Sequence, residues 1–199
     1  MFTKWTKKES LRAVICFAVF FAGVLATQLP GYLSPLYWAI YPVFAAFVAA
    51  GPLTCMMDMK PGFGSAAILP VLWFIVYRCI GELGMPVMWV ICFTFIIAAE
   101  IIRKLMGYSN PGSIRVSAPV ACLSAGCMVL PLYVSKSAFI ARAAEEMDPS
   151  YVAGLDKYGT VWMFLIVIAL SILTASISER LTERIIAGRK NSGGAYVKQ

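Results

Sequence analysis

Residues 13–57 read AVICFAVFFAGVLATQLPGYLSPLYWAIYPVFAAFVAAGPLTCMM, an uninterrupted 45 positions without a charged side chain between Arg12 and Asp58. As helix the run extends roughly 68 Å, about twice the ~30 Å hydrocarbon core of a bilayer. It therefore holds two crossings, and "LPGYLSP", with Pro30, Gly31 and Pro35, places the turn between them. Working outward, further uncharged runs occupy 61–77, 83–99, 116–135 and 158–178. Each is long enough or nearly long enough to cross. The expected fold is an all-α integral membrane bundle of six transmembrane helices, at 12–29, 36–57, 63–80, 84–102, 115–134 and 158–180. These runs are apolar on every side, whereas barrel strands alternate and are about ten residues long, so helices are read rather than a barrel.

Composition agrees. With 60% hydrophobic and 14% charged residues among 199, the chain is too apolar for a water-soluble globular domain, and no soluble domain is left over. Lys and Arg set the orientation. Thirteen fall on one side: Lys4, Lys7, Lys8, Arg12, Lys60, Arg103, Lys104, Arg115, Arg180, Arg184, Arg189, Lys190 and Lys198. Four, Arg78, Lys136, Arg142 and Lys157, fall on the other. Both termini are thus expected inside, in the bacterial cytoplasmic membrane, and the formal charge of +7 is mostly this bias. Nucleic acid is not an expected partner, because no basic patch with interleaved aromatics stands clear of the membrane ends. A signal peptide competes for the first span, with its basic start and its apolar run ending near "VLAT". That run is longer than a usual signal core.

The chemistry-bearing residues exclude more than they include. His is absent, which removes the commonest transition-metal ligand and the usual general base. Cys16, Cys55, Cys79, Cys92, Cys122 and Cys127 sit within or at the ends of spans with no C-x-x-C pair, and read as small buried hydrophobes. "CMMDM" at 55–59 is read as a turn at the inner side before Pro61, Gly62 and Gly64, rather than as a thioether copper site. There is no Ser–His pair, no aspartate cluster on one helix and no Gly-rich phosphate loop. The chain is therefore not expected to be an enzyme, to carry a resident cofactor or metal, or to hydrolyse ATP unaided.

Ten of fourteen Tyr and Trp residues gather near the outer boundary: Tyr32, Tyr37, Trp38, Tyr41, Tyr77, Trp89, Tyr133, Tyr151, Tyr158 and Trp162. Belts decorate both interfaces, so part of this set is read as lining a pocket and part as belt. Arg78 and Glu82, four apart, share a helix face; they form either an interfacial ion pair with a snorkelling arginine or a polar anchor for a ligand. Trp38, Tyr41, Trp89 and Tyr133 complete the candidate substrate-binding set with Lys136, which opens the outer loop 135–157. In that loop Phe139, Ile140, Ala143, Ala144 and Met147 make an amphipathic helix, and a second short helix is expected after Pro149 with Ser150 as N-cap. It reads as a lid, with the pocket beneath it.

On helix 1, Ala18, Ala22 and Ala26 recur every fourth residue and so share a face that lets another helix approach closely. Ala45, Ala46, Ala49 and Ala50 give helix 2 the same spacing. From spacing alone, internal packing explains both stripes.

The layout of about 200 residues, six helices and both ends inside resembles the substrate-binding (S) components of energy-coupling factor (ECF) transporters. More narrowly, "AAGPLTCMMDMKPGFGSAAILPVLW" (49–73), "AEIIRKLMGYSN" (99–110) and "EEMDPSYVAGLDKYGTVWM" (145–163) look like the Trep_Strep (MptD-like) group of that class. The resemblance implies an ABC-type importer of a small nutrient such as a vitamin. Its partners would be a transmembrane coupling (T) subunit and two ATP-binding subunits. The A-x-x-x-A pattern of such S components falls on Ala18, Ala22 and Ala26, which the resemblance makes the docking face. A membrane enzyme or assembly factor is the alternative function. An organic, partly aromatic cargo suits the Tyr and Trp excess, with a haem-like macrocycle a less favoured choice.

Overall fold

The computed structural model describes residues 5–79 and 85–195. It is built of helices: α1 (Lys7–Gln28), α2 (Pro35–Met59), α3 (Ile68–Cys79), α4 (Pro86–Met106), α5 (Pro111–Cys122), α6 (Pro131–Val134), α7 (Lys136–Glu146), α8 (Pro149–Tyr158) and α9 (Val161–Ala195). Short 3₁₀ segments, Leu29–Leu33 and Leu123–Gly126, follow α1 and α5.

Among the described residues, four stretches are long and apolar enough to cross a membrane: Lys7–Leu33, Pro35–Met59, Pro86–Met106 and Val161–Gly188. Of their most apolar stretches, 61% of α2's is buried against 17% for the first, 28% for α4 and 22% for α9, which makes α2 the central post. Residues 13–57 hold two of these helices, as expected, with the turn at the predicted prolines. Thr6 caps α1 through a reciprocal box with Glu9, and Ser34 caps α2.

The expected third and fifth spans differ from continuous helices. Gly62, Gly64 at φ +87° and Ser65 hold the chain in turns, so α3 starts at Ile68 rather than 63 and has 12 residues. The segment expected as one helix at 115–134 begins at Pro111, passes through Pro119, tightens to 3₁₀ at Leu123 and restarts at Pro131. Pro lacks the N–H a helix interior needs, which breaks the run. The break lies wholly inside protein, since residues 121–132 are all buried, and irregular backbone is tolerated at membrane depth only under such cover. Its closest approach to α2 is at Gly126, where a Cβ would stand 2.6 Å from the Pro42 ring.

Helix ends segregate by charge as an alternating arrangement requires. Lys60, after α2, bridges to Glu9 in the first turn of α1 at 3.1 Å, and Arg115 near the start of α5 bridges to Glu183 on α9 at 2.9 Å. This is the basic end. At the opposite end the outer loop folds into α7 and α8. Phe139, Ile140, Ala143 and Met147 face the protein as expected, while Ala144 is exposed. The N-cap of α8 is Asp148 rather than Ser150, because Pro149 fits the first helical position and the cap must precede it. The Asp148 carboxylate accepts from the Ser150 hydroxyl and N–H at 2.6 and 2.8 Å, which holds its pKa below the usual carboxylate range.

Candidate functional site

At the end opposite the basic one, α3 and α4 lean together over the buried 127–128 turn and leave a tight cleft of about 10 Å³, room for about one water. On α3, Trp73 and Tyr77 are one turn apart, as are Phe74 and Arg78. On α4, Trp89 follows Met88, and Cys127 and Met128 close the floor. The aromatic walls are mutually fixed: Phe74 and Trp89 meet edge to face at 4.1 Å, and Trp73 sits against Tyr77 at 5.3 Å and against Phe21 of α1 at 5.2 Å. Such rings are held by packing rather than by solvent, so the walls are pre-organised.

Among the described residues Arg78 is the single charged one lining the cleft, and it lies exposed. Flat aromatic faces, thioethers and one guanidinium line it, and these walls must part to admit anything larger than a water. Glu82, the expected partner of Arg78, lies outside the described residues.

Of the seven expected substrate-binding residues, Arg78 and Trp89 therefore come together in the cleft. Tyr41 stands directly behind it as a neighbour of Tyr77 and Cys127. It is fully buried; its hydroxyl donates to the Ala125 carbonyl at 2.7 Å and accepts from Gln28 Nε2 at 3.1 Å, tying α1, α2 and the 3₁₀ break into one network. Trp38 stacks on Tyr41 at 5.9 Å and packs over Gly31, and its buried Nε1–H has no hydrogen-bond partner among the described residues. Tyr133 donates to the Ala39 carbonyl at 2.7 Å. Lys136 bridges to Asp156 at 2.9 Å, fastening α7 to α8.

The lid does not roof this cleft: no residue of α7 or α8 lines it. Its apolar side is used up on the α1–α2 turn instead. Gly154 lies against Pro35, the Tyr151 hydroxyl donates to the Gly31 carbonyl, and burial pushes the Tyr151 phenol up to about 12. Spacing alone did not single out Trp73, Phe74, Met88 or Met128, since each also reads as ordinary core. Their signal was the i, i+4 relation to residues already chosen: Phe74 to Arg78, Trp73 to Tyr77.

The alanine stripes of α1 and α2 separate cleanly. Ala45, Ala46, Ala49 and Ala50 are all 0% exposed, consumed by packing around α2. Ala18, Ala22 and Ala26 are exposed, while Phe20, Val24 and Gln28 on the other face of α1 are buried. Close approach of α1 to α2 is made at Gly23 instead, where a Cβ would fall 2.2 Å from Val48 Cγ1. α1 thus turns Phe20, Val24 and Gln28 inward, while its outward side carries the three alanines among exposed Leu11, Val14, Ile15 and Val19.

A family model for hypothetical bacterial integral membrane proteins, Trep_Strep, matches residues 7–187. No curated protein and no solved structure matches the chain.

Proposed function

We propose that this chain, which belongs to the Trep_Strep family of bacterial integral membrane proteins, is the substrate-capturing S component of an ECF-type importer in the cytoplasmic membrane. The observation that carries the reading is the exposed Ala18, Ala22 and Ala26 strip on α1, the least buried of the four long apolar helices. In lipid, helices gain nothing from apolar burial and associate through close backbone approach across small residues. A strip left unused within the chain is thus available to a second membrane protein, the T subunit. In this reading α3 and the broken α5–α6 segment complete six crossings, the cleft beside Arg78 and Trp89 takes a small organic nutrient from outside, and ATP is hydrolysed by two partner subunits.

Co-expression with a T subunit and its ATPases tests it. Wild type should co-purify with them and support uptake, whereas Ala22→Leu should lose both and still elute as a folded protein. Undiminished co-purification of the leucine variant would overturn the assignment of the docking face.

A further inference from the structure

The floor of the outer cleft is a cluster of sulfur. Cys127 and Met128 form it, and Met88 of α4 lines the same space. Cys92 follows Met88 by one turn on the same face of α4, and its thiol meets that of Cys127. All four side chains are buried, the two cysteines to 1% exposure each. Sequence spacing hides the set, because α4 supplies one half and the turn after the 3₁₀ break supplies the other.

Size, donor chemistry and charge together select an occupant. The space holds about 10 Å³, enough for one water-sized particle and too little for an organic molecule unless the walls part. A water at the floor would meet thiols and thioethers, which are weak hydrogen-bonding partners, so a single metal ion suits the space better. Thiolate and thioether are soft donors, and that pair of ligand types favours Cu(I). Among the described residues no three His, Cys, Asp or Glu side chains are grouped to hold a metal ion, so zinc, calcium or magnesium finds no adequate donor set. Charge argues the same way. One thiolate and one monovalent ion make a neutral pair inside the bundle, whereas a divalent ion leaves net charge there unless both thiols ionise. Trp73 and Trp89 line the same space, and an aromatic face attracts a cation.

We propose that Cys92, Cys127, Met88 and Met128 form a binding site for one soft monovalent metal ion of the Cu(I) class. On binding, a thiol S–H bond breaks, a sulfur–metal bond forms and the proton leaves to water, with no electron transferred. Arg78 lies exposed at the rim, where water weakens its repulsion of the entering ion. The inference concerns the floor of the cleft alone and does not rest on the importer reading; it needs neither a T subunit nor an organic nutrient.

The test uses the full chain in phosphatidylcholine nanodiscs under nitrogen, titrated against the coloured Cu(I)–bicinchoninate complex, with Zn(II) offered in a parallel equilibrium dialysis. Wild type should withdraw Cu(I) from the dye and hold it far more tightly than Zn(II). Met88→Leu, which nearly conserves volume, and Cys127→Ala should each weaken Cu(I) binding by at least about tenfold, the lower end of what loss of even an outer partner of a metal site costs. Cys16→Ala, on α1, should match wild type. Each variant is checked for wild-type elution and helical circular dichroism. No withdrawal by wild type, or wild-type affinity in either Met88→Leu or Cys127→Ala, would overturn the site. Zn(II) held as tightly as Cu(I) would overturn its assignment to a soft monovalent ion.

Discussion

Gly23 and Ala22 are neighbours on α1, about 100° apart around its axis, the first against Val48 of α2 and the second exposed, so enlarging each in turn measures which face of the helix is spoken for. A methyl group at residue 23 would lie 2.2 Å from Val48 Cγ1, well inside van der Waals contact. Overpacking of this kind costs ~1–3 kcal/mol, and the stiff χ1 of a β-branched valine leaves few ways to yield, which puts the cost near ~3 kcal/mol. Ala exceeds Gly in helix propensity by up to ~1 kcal/mol, so Gly23→Ala should destabilise the isolated protein by about 2 kcal/mol. Val48→Ala removes the obstructing methyl, and the double variant should recover most of the loss, with a coupling energy above about 1 kcal/mol. Ala22→Leu adds three heavy atoms on the exposed side and should change stability by less than about 0.5 kcal/mol, the usual range for surface changes. Reversible unfolding in mixed micelles, followed by far-UV circular dichroism, reads all four proteins. If Ala22→Leu costs as much as Gly23→Ala, the alanine strip is packed internally and the docking argument fails with it.

Tyr41→Phe strands the buried Ala125 carbonyl and the Gln28 amide, and should cost about 1–3 kcal/mol in the same unfolding assay. Loss of less than half a kilocalorie would mean the network is not formed. Trp89→Ala and Arg78→Ala should each weaken binding of a co-purified small molecule, identified by native mass spectrometry, while leaving unfolding midpoints close to wild type; unchanged affinity in both would move the site out of the cleft. Lys136→Ala breaks a half-exposed ion pair with Asp156 and should alter stability by at most ~1 kcal/mol. A larger loss would show that the pair holds the lid down. Because Asp148 has a lowered pKa when folded, its capping of α8 is fully present above the unfolded carboxylate value of about 4 and fades as pH falls through the lower folded value. Asp148→Ala should accordingly speed amide exchange in α8 at pH 7 and make no difference at pH 2; equal exchange at both pH values would refute the cap.

Much of this architecture is legible in one dimension because the bilayer imposes a coarse rule. Uncharged runs of sufficient length must become helices, prolines and glycines must fall between them, and Lys and Arg must collect at their ends. Residues 13–57 therefore determined two helices long and apolar enough to cross and the turn between them, and Glu9 meets Lys60 where the start of α1 and the end of α2 come together. What spacing cannot decide is what a helix face looks at. The stripes of α1 and α2 have the same period, yet one is exposed and the other wholly buried, because α2 became the post around which the other helices pack. The same holds for the aromatics. Trp38 and Tyr41 were as eligible as Trp73 and Trp89 to line a cleft, but the contact of the Pro42 ring with Gly126 closes the space beside them. The run at 115–134 could likewise be continuous or broken. Only burial on every side, which satisfies or shelters the interrupted backbone, made the break between Leu123 and Pro131 tolerable in a membrane protein.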